Sequence, residues 1–140
     1  MTAERIEIRC LCGAVRAEVE GAPLMQFYCH CDDCQAASGG AYVALSLFPL
    51  QALRVTQGKT AVFKLRTLPR ERCAGCGAPL FTRLPEQGMW VVKGELLPRA
   101  MWRPEFHMQC GYAVLPVKDD LPHYRGIPVC FGGDDAVTDW

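Results

Sequence analysis

Seven of the nine cysteines in this 140-residue chain fall into three tight groups, and no other feature constrains the fold as much. The groups are Cys10-Leu11-Cys12-Gly13, Cys29-His30-Cys31-Asp32-Asp33-Cys34 and Cys73-Ala74-Gly75-Cys76-Gly77; Cys110 and Cys130 stand alone. An odd number of thiols cannot all pair as intrachain disulfides. The N-terminus reads MTAERIEIRC, with early charges and no apolar run of the kind a secretory leader carries. The expected compartment is therefore the reducing cytoplasm, where clustered thiols serve metal binding or catalysis.

The two outer groups share a pattern. Each is a short-spaced cysteine pair followed directly by Gly13 or Gly77. A loop that wraps a metal-bound sulfur often needs positive φ, which glycine adopts without steric cost. Two facing pairs supply the four thiolates of a closed tetrahedral zinc site. Cys10, Cys12, Cys73 and Cys76 are thus the candidate ligands of a structural zinc, whose binding energy is folding energy.

The middle group differs. Cys29, Cys31 and Cys34 place three thiolates within six residues and no glycine follows. Three protein ligands leave the fourth position of a zinc ion open, as catalytic sites do. Such a thiolate-rich centre suits capture of another thiol better than activation of water. His30 lies between two ligands on an extended segment, so its ring is expected to point away from them. Spacing alone also permits a rearranged pairing, with Cys29 or Cys31 joining the first group.

The other candidates have blander readings. Cys110 and Cys130 are expected to be small buried hydrophobes. His107 and His123 are expected in structural or surface roles. Arg66, Arg70 and Arg72 read as a solvated strand edge, or as a clamp for substrate carboxylates. Trp90, Trp102, Tyr42 and Phe81 read as core.

The rest of the chain is patterned for strands. Residues 5–10 and 14–20 alternate apolar and charged side chains with period two, as half-buried strands do. Residues 24–29, 41–48, 53–56, 61–66, 80–83 and 89–93 are further strand candidates. Gly58, Pro69, Pro79, Pro85 and Gly88 separate the later ones at antiparallel spacing. Residues 31–38, with acidic side chains near their start and Gly39-Gly40 after them, predict one or two helical turns. The tail from Leu121 is expected to wrap the surface or fray. The expectation is a mainly β single domain, residues 1–140, with its core at about 6–128 and a tail at 129–140.

Composition excludes two partner classes. Lys+Arg and Asp+Glu both number 15, so the chain lacks the basic excess of a nucleic-acid binder. The same balance gives no attraction to an anionic membrane, and no apolar run approaches the ~18 residues that span a bilayer.

The order Cys-x-Cys-Gly, Cys-His-Cys-x-x-Cys, Cys-x-x-Cys-Gly resembles the glutathione-dependent formaldehyde-activating family, which includes the domain of centromere protein V. The likeness runs over residues 6–128. It continues in Ser38-Gly39, Gly58, Ala78-Pro79-Leu80-Phe81, Gly94-Glu95-Leu96, Pro104-Glu105-Phe106-His107 and Asp119-Asp120-Leu121-Pro122. It implies a β-tent of several small curved antiparallel sheets and two zinc ions per chain. Cys10, Cys12, Cys73 and Cys76 would hold the structural ion, and Cys29, Cys31 and Cys34 the catalytic one. It implies a carbon–sulfur lyase joining glutathione and formaldehyde into S-(hydroxymethyl)glutathione. Two other readings fit the same cysteines: a non-catalytic zinc-stabilised binding module, and a thiol redox or metal-handling protein.

Overall fold

The computed structural model describes residues 4–140. Its strands are β1 (Arg5–Arg9), β2 (Arg16–Glu20), β3 (Met25–Cys29), β4 (Val43–Pro49), β5 (Leu53–Gln57), β6 (Thr60–Lys64), β7 (Pro69–Cys73), β8 (Pro79–Leu84), β9 (Met89–Lys93) and β10 (His107–Met108). One α-helix, α1 (Asp32–Ser38), interrupts them between β3 and β4. The mainly β expectation, with one short helical segment, holds. A three-stranded sheet has the order β1-β2-β5, and a seven-stranded sheet runs β10-β3-β4-β9-β8-β7-β6. Every pairing is antiparallel except that of the two-residue β10 beside β3.

The period-two pattern sets the register. Ile6 sits opposite Val19 and Ile8 opposite Ala17 on the β1–β2 hairpin. These residues face the large sheet, and with Val15, Phe48, Trp90 and Val92 they form the principal core. Phe48, Val19 and Val92 have no exposed surface; burying one such Phe contributes about 2–3 kcal/mol of transfer free energy. Trp90 keeps its polar edge satisfied by donating Nε1–H to the Leu50 carbonyl at 2.8 Å.

Alternation gives the large sheet a second apolar face. Phe27 pairs with Leu45, which pairs with Lys93; Leu47 pairs with Val91, which pairs with Thr82. These positions alternate with the core-facing Phe48, Trp90 and Val92. They turn away from the three-stranded sheet and line a cavity instead.

Helix α1 starts one residue after the predicted position 31 and ends at Ser38 as the sequence suggested. The Cys31 thiolate side chain is the N-cap, accepting the Cys34 N–H at 3.2 Å. Asp32 and Asp33 occupy the first turn, where the helix dipole favours negative charge. Gly39, at φ 74°, closes the other end.

Three expectations need correction. β7 begins at Pro69, read from sequence as a breaker; proline at a strand's first residue loses no interior ladder bond. Cys130 is exposed, not buried, because it sits in a surface 3-10 turn. Tyr42 and Trp102 are only half-buried. The tail wraps rather than frays: Tyr124 bridges Val137, and Trp140 packs against His30 with ring centroids 5.4 Å apart.

Candidate functional site

The two glycine-flanked cysteine pairs fold into matching turns. In the first, Cys10 N–H donates to the Val15 carbonyl and Gly13 N–H to the Cys10 carbonyl, with Gly13 at φ 78°. In the second, Cys73 N–H donates to Ala78 and Gly77 N–H to Cys73, with Gly77 at φ 76°. The Val15 and Cys76 amides point at the sulfurs of Cys10 and Cys73, at 3.3 and 3.4 Å. The four Sγ atoms lie within 4.8 Å of one another; Cys10–Cys12 is 3.4 Å and Cys12–Cys73 is 3.7 Å. A tetrahedron with Zn–S bonds of about 2.3 Å has sulfur–sulfur edges of roughly 3.8 Å. The donor set and its spacing therefore fit a zinc ion. The Val15 amide, with the thiols of Cys12 and Cys73, lowers the Cys10 thiol to about 6 against the opposing effect of burial.

Cys29, Cys31 and Cys34 meet where β3 runs into α1. Their Sγ atoms also lie within 4.8 Å of one another. Hydrogen bonds from Cys29 and Cys34, and the Cys34 amide, hold the Cys31 thiol down at about 3; Cys29 is pushed up by the same neighbours and by burial. Three clustered sulfurs, one of them held as thiolate at neutral pH, are a fit donor set for a soft or borderline divalent ion. The spacing-only alternative, with Cys29 or Cys31 in the first group, is not what the fold brings together: the clusters stay separate.

The two groups differ in access. A cavity of about 1040 Å³ is lined by Cys29, Cys31 and Cys34. None of Cys10, Cys12, Cys73 and Cys76 reaches it, nor do His30 and Cys110. Burial raises the Cys110 thiol to about 11, as expected of a small buried hydrophobe. Cys130 lies at the cavity's edge.

A model of the family described as "Glutathione-dependent formaldehyde-activating enzyme" matches residues 5–123, a span holding all seven clustered cysteines. The chain belongs to that family. It is 30% identical over 110 residues to a Penicillium rubens protein provisionally named for glutathione-dependent formaldehyde activation, covering 71% of this chain and 58% of that one. The chain thus spans somewhat over half the length of that relative. A crystal structure of a Rhodobacter sphaeroides protein matches with a TM-score of 0.56 and 24% identity, over 71% of this chain and 97% of that one. That likeness shows the fold.

In this member of the formaldehyde-activating family, three features beyond the cysteines shape the site. The first is Asp33, buried beneath the trio. Its carboxylate accepts from the Arg66 and Thr67 amides (3.1 and 2.9 Å), the Thr67 hydroxyl (2.5 Å) and Arg70 Nη1 (2.9 Å). Burial would raise its pKa, but these donors outweigh it and hold the carboxyl below the usual range. Arg70 also points Nη2 at Cys34 Sγ, 3.6 Å away. Arg66 pairs with Asp32, and Arg72 donates to the Ala37 carbonyl and lies over the Phe63 ring. The three arginines therefore anchor α1 to the β6–β7 hairpin and do not stand free as a carboxylate clamp. No local sequence signal links Asp33 to Arg70, which lies 37 residues further on.

The second is Lys93, at the end of β9. It lines the cavity with its side chain 13% exposed, 3.8 Å from Glu95. Burial lowers its pKa. Nothing in the sequence distinguishes it from a surface lysine.

The third is a line of buried imidazoles on the opposite side of β3. His30 Nε2 lies 2.9 Å from His107 Nδ1, and His107 Nε2 lies 2.7 Å from Asp119 Oδ2. His123 Nε2 is 3.0 Å from the other Asp119 oxygen. A carboxylate only accepts, so His107 Nε2–H donates to Asp119. His107 Nδ1 must then accept, and His30 Nε2–H donates to it. His30 turns away from the sulfurs, as expected. His107, expected to be structural, fixes it there.

Proposed function

We propose that the chain is a zinc-dependent carbon–sulfur lyase acting on thiol adducts of aldehydes, of which S-(hydroxymethyl)glutathione is the simplest. The observation that carries this reading is the difference in access: the three-cysteine group opens onto a large cavity and the four-cysteine group does not. On this reading Cys10, Cys12, Cys73 and Cys76 hold a structural zinc ion. Cys29, Cys31 and Cys34 hold a second ion, which when bound supplies a Lewis-acidic centre that favours a substrate sulfur in its thiolate form.

The reaction is redox-neutral and needs no co-reactant. In breakdown, the carbon–sulfur bond of the 1-hydroxyalkyl thioether breaks and its electron pair stays on sulfur. The hydroxyl proton leaves, the C=O bond forms, and sulfur regains a proton as the thiol departs. Formation is the reverse.

The chain's own groups do four things. Cys31 caps α1, so the helix start and the sulfur geometry are set together. Asp33 and Arg70 fix the helix against β7, and Arg70 lends positive charge to Cys34. Lys93 presents a cation inside the same cavity. The apolar sheet face excludes water from the reacting bond.

The fully closed alternative, a binding module, needs His30 or Cys110 to occupy the open position. Both lie outside the cavity, which favours the enzyme. The unpaired thiols support a reducing, cytoplasmic setting. The near-neutral charge supports small-molecule partners over nucleic acid or membrane.

The deciding experiment measures zinc per chain and exchange of S-(hydroxymethyl)glutathione by NMR, for wild type and Cys31→Ser. Two zincs and catalysed exchange in wild type, with one zinc and no catalysis in a folded variant, are expected. Equal zinc content in both, or no catalysed exchange in zinc-replete wild type, would sink the proposal.

A further inference from the structure

We infer that the site takes thiohemiacetals bearing an extended apolar substituent, which lies along the second face of the large sheet; this rests on the lyase reading above. The register lays out the binding surface. Cys29 pairs with Val43 at the cysteine end, and successive same-face rows pass through Leu45 and Lys93, then Leu47 and Val91. Met89 and Leu84 form the next row. From Val43 to Leu47 is four strand residues, about 13 Å. The strip thus begins at the candidate catalytic sulfurs and runs well beyond the reach of a hydroxymethyl group. All of these side chains line the cavity that the cysteines open onto.

Charge decides what fits there. Glutathione carries two carboxylates and an ammonium, and charges moved into an apolar cleft need partners. Arg66 and Arg70 also line the cavity, but Arg70 is held by the buried Asp33, and Arg66 stands at the exposed end beside Asp32. Lys93 is the remaining cation among the described lining residues, and Glu95 lies 3.8 Å from it. The strip beyond Lys93 is Leu47, Val91, Met89 and Leu84, with Thr82 as its polar member. An aliphatic or aryl body matches that surface; a peptide's charged ends match only the solvent-facing end near Asp32 and Arg66. The fold leaves a volume of about 1040 Å³, in the range of pockets that hold drug-sized ligands.

The substituent could enter on either half of the adduct, so the test has two arms. One pairs formaldehyde with alkanethiols from ethanethiol to hexanethiol. The other pairs glutathione with aldehydes from acetaldehyde to hexanal. Adduct exchange is followed by NMR, and thiol binding to the zinc-loaded chain is followed by calorimetry. The expected result is a kcat/KM or affinity that rises about fourfold per added methylene in at least one arm; the arm that responds identifies the half carrying the apolar body. Val91→Trp, which fills the strip, and Met89→Glu, which charges its far end, should each cut the long-to-short ratio at least tenfold, with zinc content and circular dichroism as folding controls. Two variants at different depths keep the test valid if one misfolds.

A flat length dependence with S-(hydroxymethyl)glutathione still exchanged would overturn this inference and leave the lyase reading intact. Failure to bind or exchange any adduct would overturn both. A zinc-loaded chain that sediments as a dimer dissociated by Val91→Trp or Met89→Glu would assign the strip to a second copy, and would also overturn it.

Discussion

Asp33 is the residue whose loss is easiest to price in physical terms. It is 3% exposed and its carboxylate takes four donors, among them Arg70. Removing one partner of a buried ion pair typically costs about 3–5 kcal/mol, because the other charge is left uncompensated. Asp33→Asn should therefore lower unfolding free energy by about 3 kcal/mol at pH 7, read from urea midpoints; a change under about 1 kcal/mol would mean that Arg70 finds solvent instead. The buried imidazoles make a second prediction, with a sign. Burial, reinforced by neighbouring imidazole, lowers His30 to about 4; burial also lowers His107, against the opposite pull of Asp119. Both are neutral when folded at pH 7, and His123, Asp119, Tyr28 and Tyr42 are titratable groups that face them. A depressed folded pKa gives stability that is full above the unfolded histidine value near 6.5 and is lost as pH falls toward the folded value. Wild type should lose stability relative to His107→Gln as pH falls below about 6.5 toward the lowered folded value of His107. Comparing urea midpoints of the two proteins across that range tests it, since acid loss of metal affects both alike; parallel curves would contradict it.

At the scale of elements, local pattern and local chemistry were readable and pairing was not. Strands β1 to β6, β8 and β9 fall within two residues of the strand segments read from sequence, because alternation, apolar runs and bounding Gly or Pro are local properties. Helix α1 was readable from the acidic residues at its start and its closing glycine. β7 was obscured by its leading proline, and β10 is two residues whose strand character exists only through pairing with β3. The cysteine turns were legible for a deeper reason: a short-spaced cysteine pair, a tight turn and a following glycine coincide, and the chain shows that coincidence twice. The price of breaking the coincidence is calculable. A Cβ on Gly77 would meet nothing within 4 Å, so Gly77→Ala brings backbone strain alone. At φ 76° that strain should cost about 1–2 kcal/mol. The expected outcome is a lower Tm with zinc content unchanged; loss of a zinc equivalent would show that the turn cannot hold its sulfurs with any residue but glycine.

At the scale of the molecule, the four-cysteine group sits where the two sheets meet. Cys10 follows β1 in the three-stranded sheet, and Cys73 ends β7 in the seven-stranded one. Residues 63 apart in sequence are thereby joined through one set of sulfurs. The principal core already connects the sheets through Ile8, Val19, Phe48 and Trp90, so a metal held there would add to an interface that exists without it. The three-cysteine group has a different position: Cys29 ends β3 and Cys34 lies in α1, and their cavity is walled by the seven-stranded sheet together with α1, residues 66–68 and the turns after β10. The cysteine partition was visible in sequence, yet the anchoring of α1 by Asp33 and Arg70 and the place of Lys93 were not, because they depend on contacts 37 and more residues apart. The topology makes the two groups unequal in what their loss should do. Metal binding to a closed site contributes directly to folding, so Cys76→Ser should unfold cooperatively at a much lower temperature and expose the inter-sheet core to a hydrophobic dye. Cys31→Ser should keep the wild-type near-ultraviolet spectrum while losing thiol binding. Stripping metal with a strong chelator should drive wild type to the Cys76→Ser state, and back-titration with one zinc equivalent should restore the fold before the second restores thiol binding. Calorimetric melting of the four preparations checks the order: if Cys31→Ser melts as low as Cys76→Ser, the three-cysteine group holds the fold as well, and the division of labour between the two sites is wrong.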